Sequence, residues 1–174
     1  MDLLVREVEL NDAEAIVSIL NPIIEAGVYT AFDTPLTVEA ERDYILHFPI
    51  RGVFHVALCY HEQKVVGFQS MEPFANYTHA FDHVGVLGTY VDLSYRRQKV
   101  GTSLFNATFE LARQRGYEKL LTYIRADNMA ALTTYQNQGF GIIGTAKRQA
   151  KINSRYIDEI IVEKYFVEIK DGHL

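Results

Sequence analysis

Residues 92–116 read DLSYRRQKVGTSLFNATFELARQRG, and the way this stretch folds decides what the rest of the chain must be. Its second half places Leu104, Phe105, Thr108, Leu111 and Ala112 at spacings that share one face of a helix, with Gly116 to stop it. Its first half sets Arg96, Arg97, Gln98 and Lys99 directly before Gly101, where that helix begins. The first N–H groups of a helix have no partner inside it and sit at the positive end of its dipole. A cationic loop opening into a helix therefore favours an anion, a phosphate above all. The pattern G-x-x-x-x-G-K-[ST] is absent, so this is not a Walker-type nucleotide loop.

Outward from this stretch the chain reads as alternating elements. Upstream, "LLVREV" suits a strand, and Asn11 with Glu14 forms a capping box for a helix to about Ala26, kinked at Pro22 and ended by Gly27. Thr37 caps a second helix that stops at Phe48, before Pro49. "VFHVALCY" and "KVVGFQSM" flank a turn as a hairpin, Glu72 to His83 reads as an aromatic loop, and "VGVLGTYVDL" is a strand. Downstream come a buried strand "KLLTYIRA", a helix capped by Asp127 or Asn128 and terminated by Gly139, and an antiparallel pair around "NSR". In the last strand Ile157, Ile161 and Tyr165 stand off register from Asp158, Glu159, Glu163 and Lys164, as a half-buried strand requires. Seven strands and four helices in this order predict an α/β fold with a mostly antiparallel central sheet and one parallel crossover.

The chain has 174 residues, 48% of them hydrophobic, enough for one good core, so a single domain over residues 1–174 is expected. Its 17 basic residues fall short of 22 acidic ones, for a net charge of −5, which weighs against nucleic-acid binding. Cys59 is alone in an apolar stretch, which excludes an internal disulfide and points to a reducing compartment. The start "MDLLVREVEL" lacks the cationic opening of a secretion signal, and no apolar run approaches membrane-spanning length, so a cytoplasmic protein without membrane contact is expected.

Two segments together carry a family resemblance. "TYVDLSYRRQKVGTSLF" followed by "IRADNMAALTTYQNQGF" resembles the two central motifs of the GNAT-type N-acetyltransferases: R/Q-x-x-G-x-G/A from Arg96 to Gly101, then Asn128, Ala131, Tyr135 and Gly139-Phe140. "REVELNDAEAIVSILN", "FDTPLTVEA" and "VVGFQSMEPF" are similar to the phosphinothricin acetyltransferase-like branch, and the likeness spans roughly residues 4 to 166. It implies the acyl-CoA acyltransferase fold, acetyl-CoA as cosubstrate, no metal, and transfer of an acetyl group to a primary amine of a small molecule such as an amino acid or its analogue. Acetylation of a peptide N-terminus or lysine, and a non-catalytic acyl-CoA-binding module, are the alternatives.

The resemblance also implies roles. Arg96, Arg97, Gln98, Lys99, Val100, Gly101 and Thr102 would hold the CoA diphosphate, and main-chain groups of Tyr90 and Val91 the pantetheine arm and thioester carbonyl. Gly85 and Gly88 on that strand fit a close approach of ligand or backbone. Asn128 would bind the amide-rich arm, cap the helix, or both. Tyr135 would lie by the sulfur as the acid for the leaving thiolate, since a phenol of pKa about 10 can donate to a thiolate whose thiol titrates near 8.5. Lys99 replaces the family's first loop glycine; positive φ there would cost about 1 kcal/mol, but the simpler demand is an exposed N–H, which lysine meets. The family's glutamate base corresponds to Val86, so Glu72, then His83, then Asp82 or a water relay stand in for it. Phe32, Phe74 and Tyr77, with Tyr29, Phe81 and Tyr156, are the expected acceptor-site rings, although such rings can equally pack in a core or a dimer. An exposed C-terminal strand pair makes a homodimer plausible.

Overall fold

The computed structural model describes residues 2–166, so Met1 and residues 167–174, both inside the expected domain span, lie outside the described residues. The elements follow the order read from the sequence: β1 (Leu3–Glu7), α1 (Ala13–Glu25), α2 (Val38–Leu46), β2 (Val53–Cys59), β3 (Lys64–Pro73), β4 (Val84–Val91), α3 (Val100–Gln114), β5 (Lys119–Arg125), α4 (Met129–Asn137), β6 (Gly141–Ile152) and β7 (Arg155–Tyr165). They build one seven-stranded sheet in the order β1-β2-β3-β4-β5-β7-β6. Every neighbouring pair is antiparallel except β4 and β5, joined by the crossover through α3.

Local chemistry sets the element ends. Thr37 Oγ1 accepts from the Ala40 amide at 3.1 Å and starts α2, and Asn128 Oδ1 does the same for Ala131 at the head of α4. Gly27, Gly116 and Gly139 all take positive φ where helices end. Asn153 and Ser154 are both left-handed, which gives the β6–β7 hairpin the turn that matches strand twist. At the start of α1 the capping box belongs to other residues than Asn11 and Glu14. Asp12 accepts from the Glu9 amide at 2.8 Å and is gripped by Arg6 through both guanidinium arms, so a tertiary ion pair outcompetes the local motif. The helix then runs through Pro22 as one element.

The sheet is covered on both faces. Ile16, Ile19, Leu20 and Ile23 of α1 pack on Phe54, Val56 and Phe68. Phe105, Phe109 and Ala112 of α3 and Leu132 and Tyr135 of α4 pack on Val53, Met71, Leu87, Leu120 and Val162 across the other face. Three expectations shift. β3 continues through Glu72 and Pro73, because both pair with β4. Gly85 and Gly88 make room for the chain itself: an added Cβ would meet Leu120 and Met71 at the first and the Tyr90 ring at the second. β7 is an interior strand, so its alternation is blunted and Glu159 is among its most buried residues, while only β6 of the C-terminal pair forms a sheet edge.

One seam is short. β4 pairs with β5 only at Val84–Lys119, Gly85–Leu120 and Val86–Leu121, after which the two strands separate. Phe74 N donates to Val84 O and Asp92 N to Val66 O, both at 2.9 Å, so the even-numbered residues of β4 spend their main-chain groups on β3. Alternation along a strand then turns the main-chain groups of Leu87, Thr89 and Val91 into the gap.

Candidate active site

The loop before α3 is wound to present amides. Arg97 and Lys99 both have positive φ, 60° and 66°, and no side chain caps the helix that follows. The first-turn N–H groups of α3 therefore remain for a ligand. Position 99 thus demands the left-handed region after all, and the expectation that lysine is harmless there is corrected: a β-carbon in that region costs about 1–2 kcal/mol. Lys99→Gly is expected to raise stability by about 0.5–1 kcal/mol, the strain released less the extra chain entropy of glycine. A higher denaturant midpoint at unchanged slope is the readout. Val100 is buried beside Gly67, and nothing lies within 4 Å of a Cβ built on Gly101. The bare glycine is not required by packing and opens the floor of a cleft.

That cleft, about 330 Å³, is lined by the loop and first turn of α3 from Arg96 to Thr102, by Thr89, Tyr90 and Val91, and by Asn128 and Tyr135 of the α4 motif. Gln98 alone of this loop is not among its lining residues; its amide donates to Ser94 O at 3.2 Å. Arg96 lies 4.0 Å over the Tyr29 ring, tying the loop to the segment after α1, while Arg97 and Lys99 stay exposed.

A second cavity of about 350 Å³ opens on the α1–α2 side of the gap. It shares Tyr29, Thr89, Tyr90, Asn128, Ala131 and Tyr135 with the first, so the two meet where β4 and β5 part. Tyr135 stands at this junction, 6% exposed, its ring edge-on to Phe105 and Phe140. Its hydroxyl is 2.9 Å from Thr89 Oγ1, which in turn accepts from Gln69 Nε2 at 2.7 Å. With Gln69 donating to it, Thr89 can give its own proton to the Tyr135 oxygen, which leaves the phenol proton for a ligand in the gap. Among the described residues Gln69 Oε1 is buried with no partner. Burial pushes the Tyr135 phenol well above its usual value, against the opposing pull of its Thr89 and Thr122 hydrogen bonds. It stays protonated, which suits it to donate a hydrogen bond more than to give up the whole proton.

Several predicted residues fall elsewhere. Tyr90 brings its ring, stacked on Phe68 at 4.9 Å, while its main chain belongs to the β3 side; Val91 and Thr89 offer the main chain to the gap. Asn128 spends both ends of its amide inside the protein, Oδ1 on Ala131 N and Nδ2 on Tyr29 O at 3.1 Å. Phe32 lines the second cavity, but Phe74 and Tyr77 pack around Phe81 in the β3–β4 loop and line neither cavity. Glu72 accepts from the Tyr44 hydroxyl, and exposed His83 sits at the closed end of the seam, where its carbonyl accepts from Glu118 and Lys119; neither lines either cavity.

Sequence reasoning missed the two charged groups of the second cavity. Arg125, at the end of β5 and 6% exposed, forks onto Asp127 at 2.9 and 2.7 Å and donates to Gly27 O and Thr30 O at 2.9 and 3.1 Å. Glu159 is its register partner on β7, and burial raises its carboxyl pKa despite the nearby Arg125 charge. The Arg-x-Asp spacing was a usable signal for the first; the second reads from sequence as an ordinary surface charge.

The acetyltransferase (GNAT) family profile matches residues 24–140. The protein YwnH of Bacillus subtilis, assigned as a candidate phosphinothricin acetyltransferase, is 25% identical over 88% of this chain and 93% of its own. A ribosomal-protein-alanine N-acetyltransferase from Brucella melitensis superposes with a TM-score of 0.83 at 26% identity, over 93% of this chain and 99% of that one. A phosphinothricin acetyltransferase from Sinorhizobium meliloti, solved with acetyl-CoA, shares the fold with a TM-score of 0.86 at 18% identity, over 95% and 89%.

Proposed function

Because the chain belongs to the acetyltransferase (GNAT) family, we propose that it moves the acetyl group of acetyl-CoA onto a primary amine of a small molecule by direct attack in a ternary complex. The observation that carries this reading is the meeting of two cavities at the Tyr135 hydroxyl, in a gap along which β4 has no β5 partner beyond Val86. Acetyl-CoA supplies an activated acyl thioester. The uncapped amides of α3, with Lys99 and Arg97 beside them, suit a diphosphate. Val91 and Thr89 suit an extended amide-bearing arm that takes the place of the missing strand partner. N–H groups directed into the gap from Leu87 or Val91 can receive the charge that develops on the acyl oxygen; the amine attacks in its neutral form, the proton it sheds passes to water in the open second cavity, and Tyr135 donates to the sulfur as the C–S bond breaks and the CoA thiolate leaves.

The second cavity receives the acceptor. Of the bases weighed from the sequence none lines it; the carboxylate that does is Glu159. The likeness to the Brucella melitensis enzyme favours one second reading, in which the acceptor is the N-terminus of a protein.

Gly101→Glu tests the cosubstrate site. The new carboxylate enters open space and favours the helix dipole, so stability should hold or rise by about 0.3–1 kcal/mol. The same charge meets the diphosphate, and the dissociation constant for acetyl-CoA is expected to rise about 100-fold, a like-charge penalty of several kcal/mol at most. Calorimetry on both forms reads it; unchanged binding would move the cosubstrate elsewhere.

A further inference from the structure

Glu159 is 8% exposed, and among the described residues its carboxylate has no hydrogen-bond or ion-pair partner. It lines the second cavity. Its register neighbour Arg125 faces the same way but spends four of its five N–H groups within the protein: Nε and Nη2 hold Asp127, and Nη1 holds the carbonyls of Gly27 and Thr30. No other cationic side chain is among the residues lining that cavity. The rings of Tyr29, Phe32, Tyr90 and Tyr123 line the same cavity as the carboxylate. Arg125 is the one positive charge acting on this largely buried carboxylate and makes no ion pair with it, so a ligand that brings a directly bonded opposite charge would be held there most readily. Aromatic faces add to the attraction for a cation. Among the described lining residues the one cation, Arg125, is already committed to Asp127, so a carboxylate or phosphinate on the acceptor would meet Glu159 as a like charge with no free cation to offset it.

Resting on the acetyltransferase reading, we infer that the acceptor is a small cationic amine bearing no carboxylate, with Glu159 holding its ammonium group. Amino acids and their acidic analogues are thereby excluded by the same residue that recruits the amine. Selection is by repulsion as much as by attraction.

The test uses matched acceptors that differ only in the carboxylate: tyramine against tyrosine, phenethylamine against phenylalanine, putrescine against ornithine. Thiol release from acetyl-CoA by the purified full-length chain is expected to give kcat/KM about 100-fold or more higher for the amine of each pair. Glu159→Gln should raise KM for the amine about tenfold or more while acetyl-CoA binding stays within about twofold, which also certifies that the variant is folded. Glu159→Lys should reverse the preference within each pair. Amino acids accepted as well as the amines, an unchanged amine KM in Glu159→Gln, or faster turnover of a peptide with a free N-terminal alanine would overturn the inference. If no acceptor releases thiol, the acetyltransferase reading fails instead. The inference is then read from direct calorimetric binding of tyramine and tyrosine: tyramine binding abolished by Glu159→Gln supports it, and equal binding of the two overturns it.

Discussion

Tyr135→Phe is expected to lower kcat about 100-fold, with the KM for acetyl-CoA changed little, because in the proposed role the hydroxyl acts only when charge appears on the leaving sulfur. The ring keeps its contacts with Phe105 and Phe140, so what is lost from the fold is the hydroxyl's hydrogen bonding to Thr89 and Thr122, about 1–2 kcal/mol. The structure adds a second expectation. Thr89→Val removes one of the two hydroxyls that orient the phenol but leaves the phenol in place, so kcat should fall less than in Tyr135→Phe. Pre-steady-state thiol release in both variants separates the two contributions. A near-normal kcat in Tyr135→Phe would take the residue out of the mechanism.

Arg125→Ala should produce the largest loss of stability. Two carbonyls and one carboxylate lose their donors together, and four charge-assisted hydrogen bonds disappear from a buried position. Asp127 is half exposed and can be rehydrated, which limits the cost to about 3 kcal/mol. For a chain of this size that is a Tm lower by about 6–12 °C in calorimetric scans. The segment carrying Tyr29 to Phe32 is held down by those bonds, so the KM of the acceptor should rise as well. Arg125→Lys should recover only part of the stability, since one ammonium cannot span both carbonyls and the carboxylate.

The order of elements was legible because the signals for it are local. The apolar face of α3, the caps at Thr37 and Asn128, and the glycines at 27, 116 and 139 need no distant partner. What the sequence could not display was anything decided by register. Glu72 and Glu159 are both glutamates on strands, yet pairing turns the first toward Tyr44 and the second into a cavity. Lys99 shows the same limit in the backbone, because its left-handed φ is imposed by the turn into α3 and leaves no mark on the residue type. Arg6 similarly draws Asp12 into a capping role that the local pattern assigned to Asn11 and Glu14.

The sheet is welded at its centre by three residue pairs, whereas the seams on either side of that weld run to seven each. Mechanically it behaves as two leaves of a book, strands β1 to β4 and strands β5 to β7, bound along a short spine. Thermal breathing will part the leaves there before it disturbs any fuller seam. Whatever slides between the pages and bonds to both becomes part of the binding, so the stiffness of this protein belongs in some measure to its occupant.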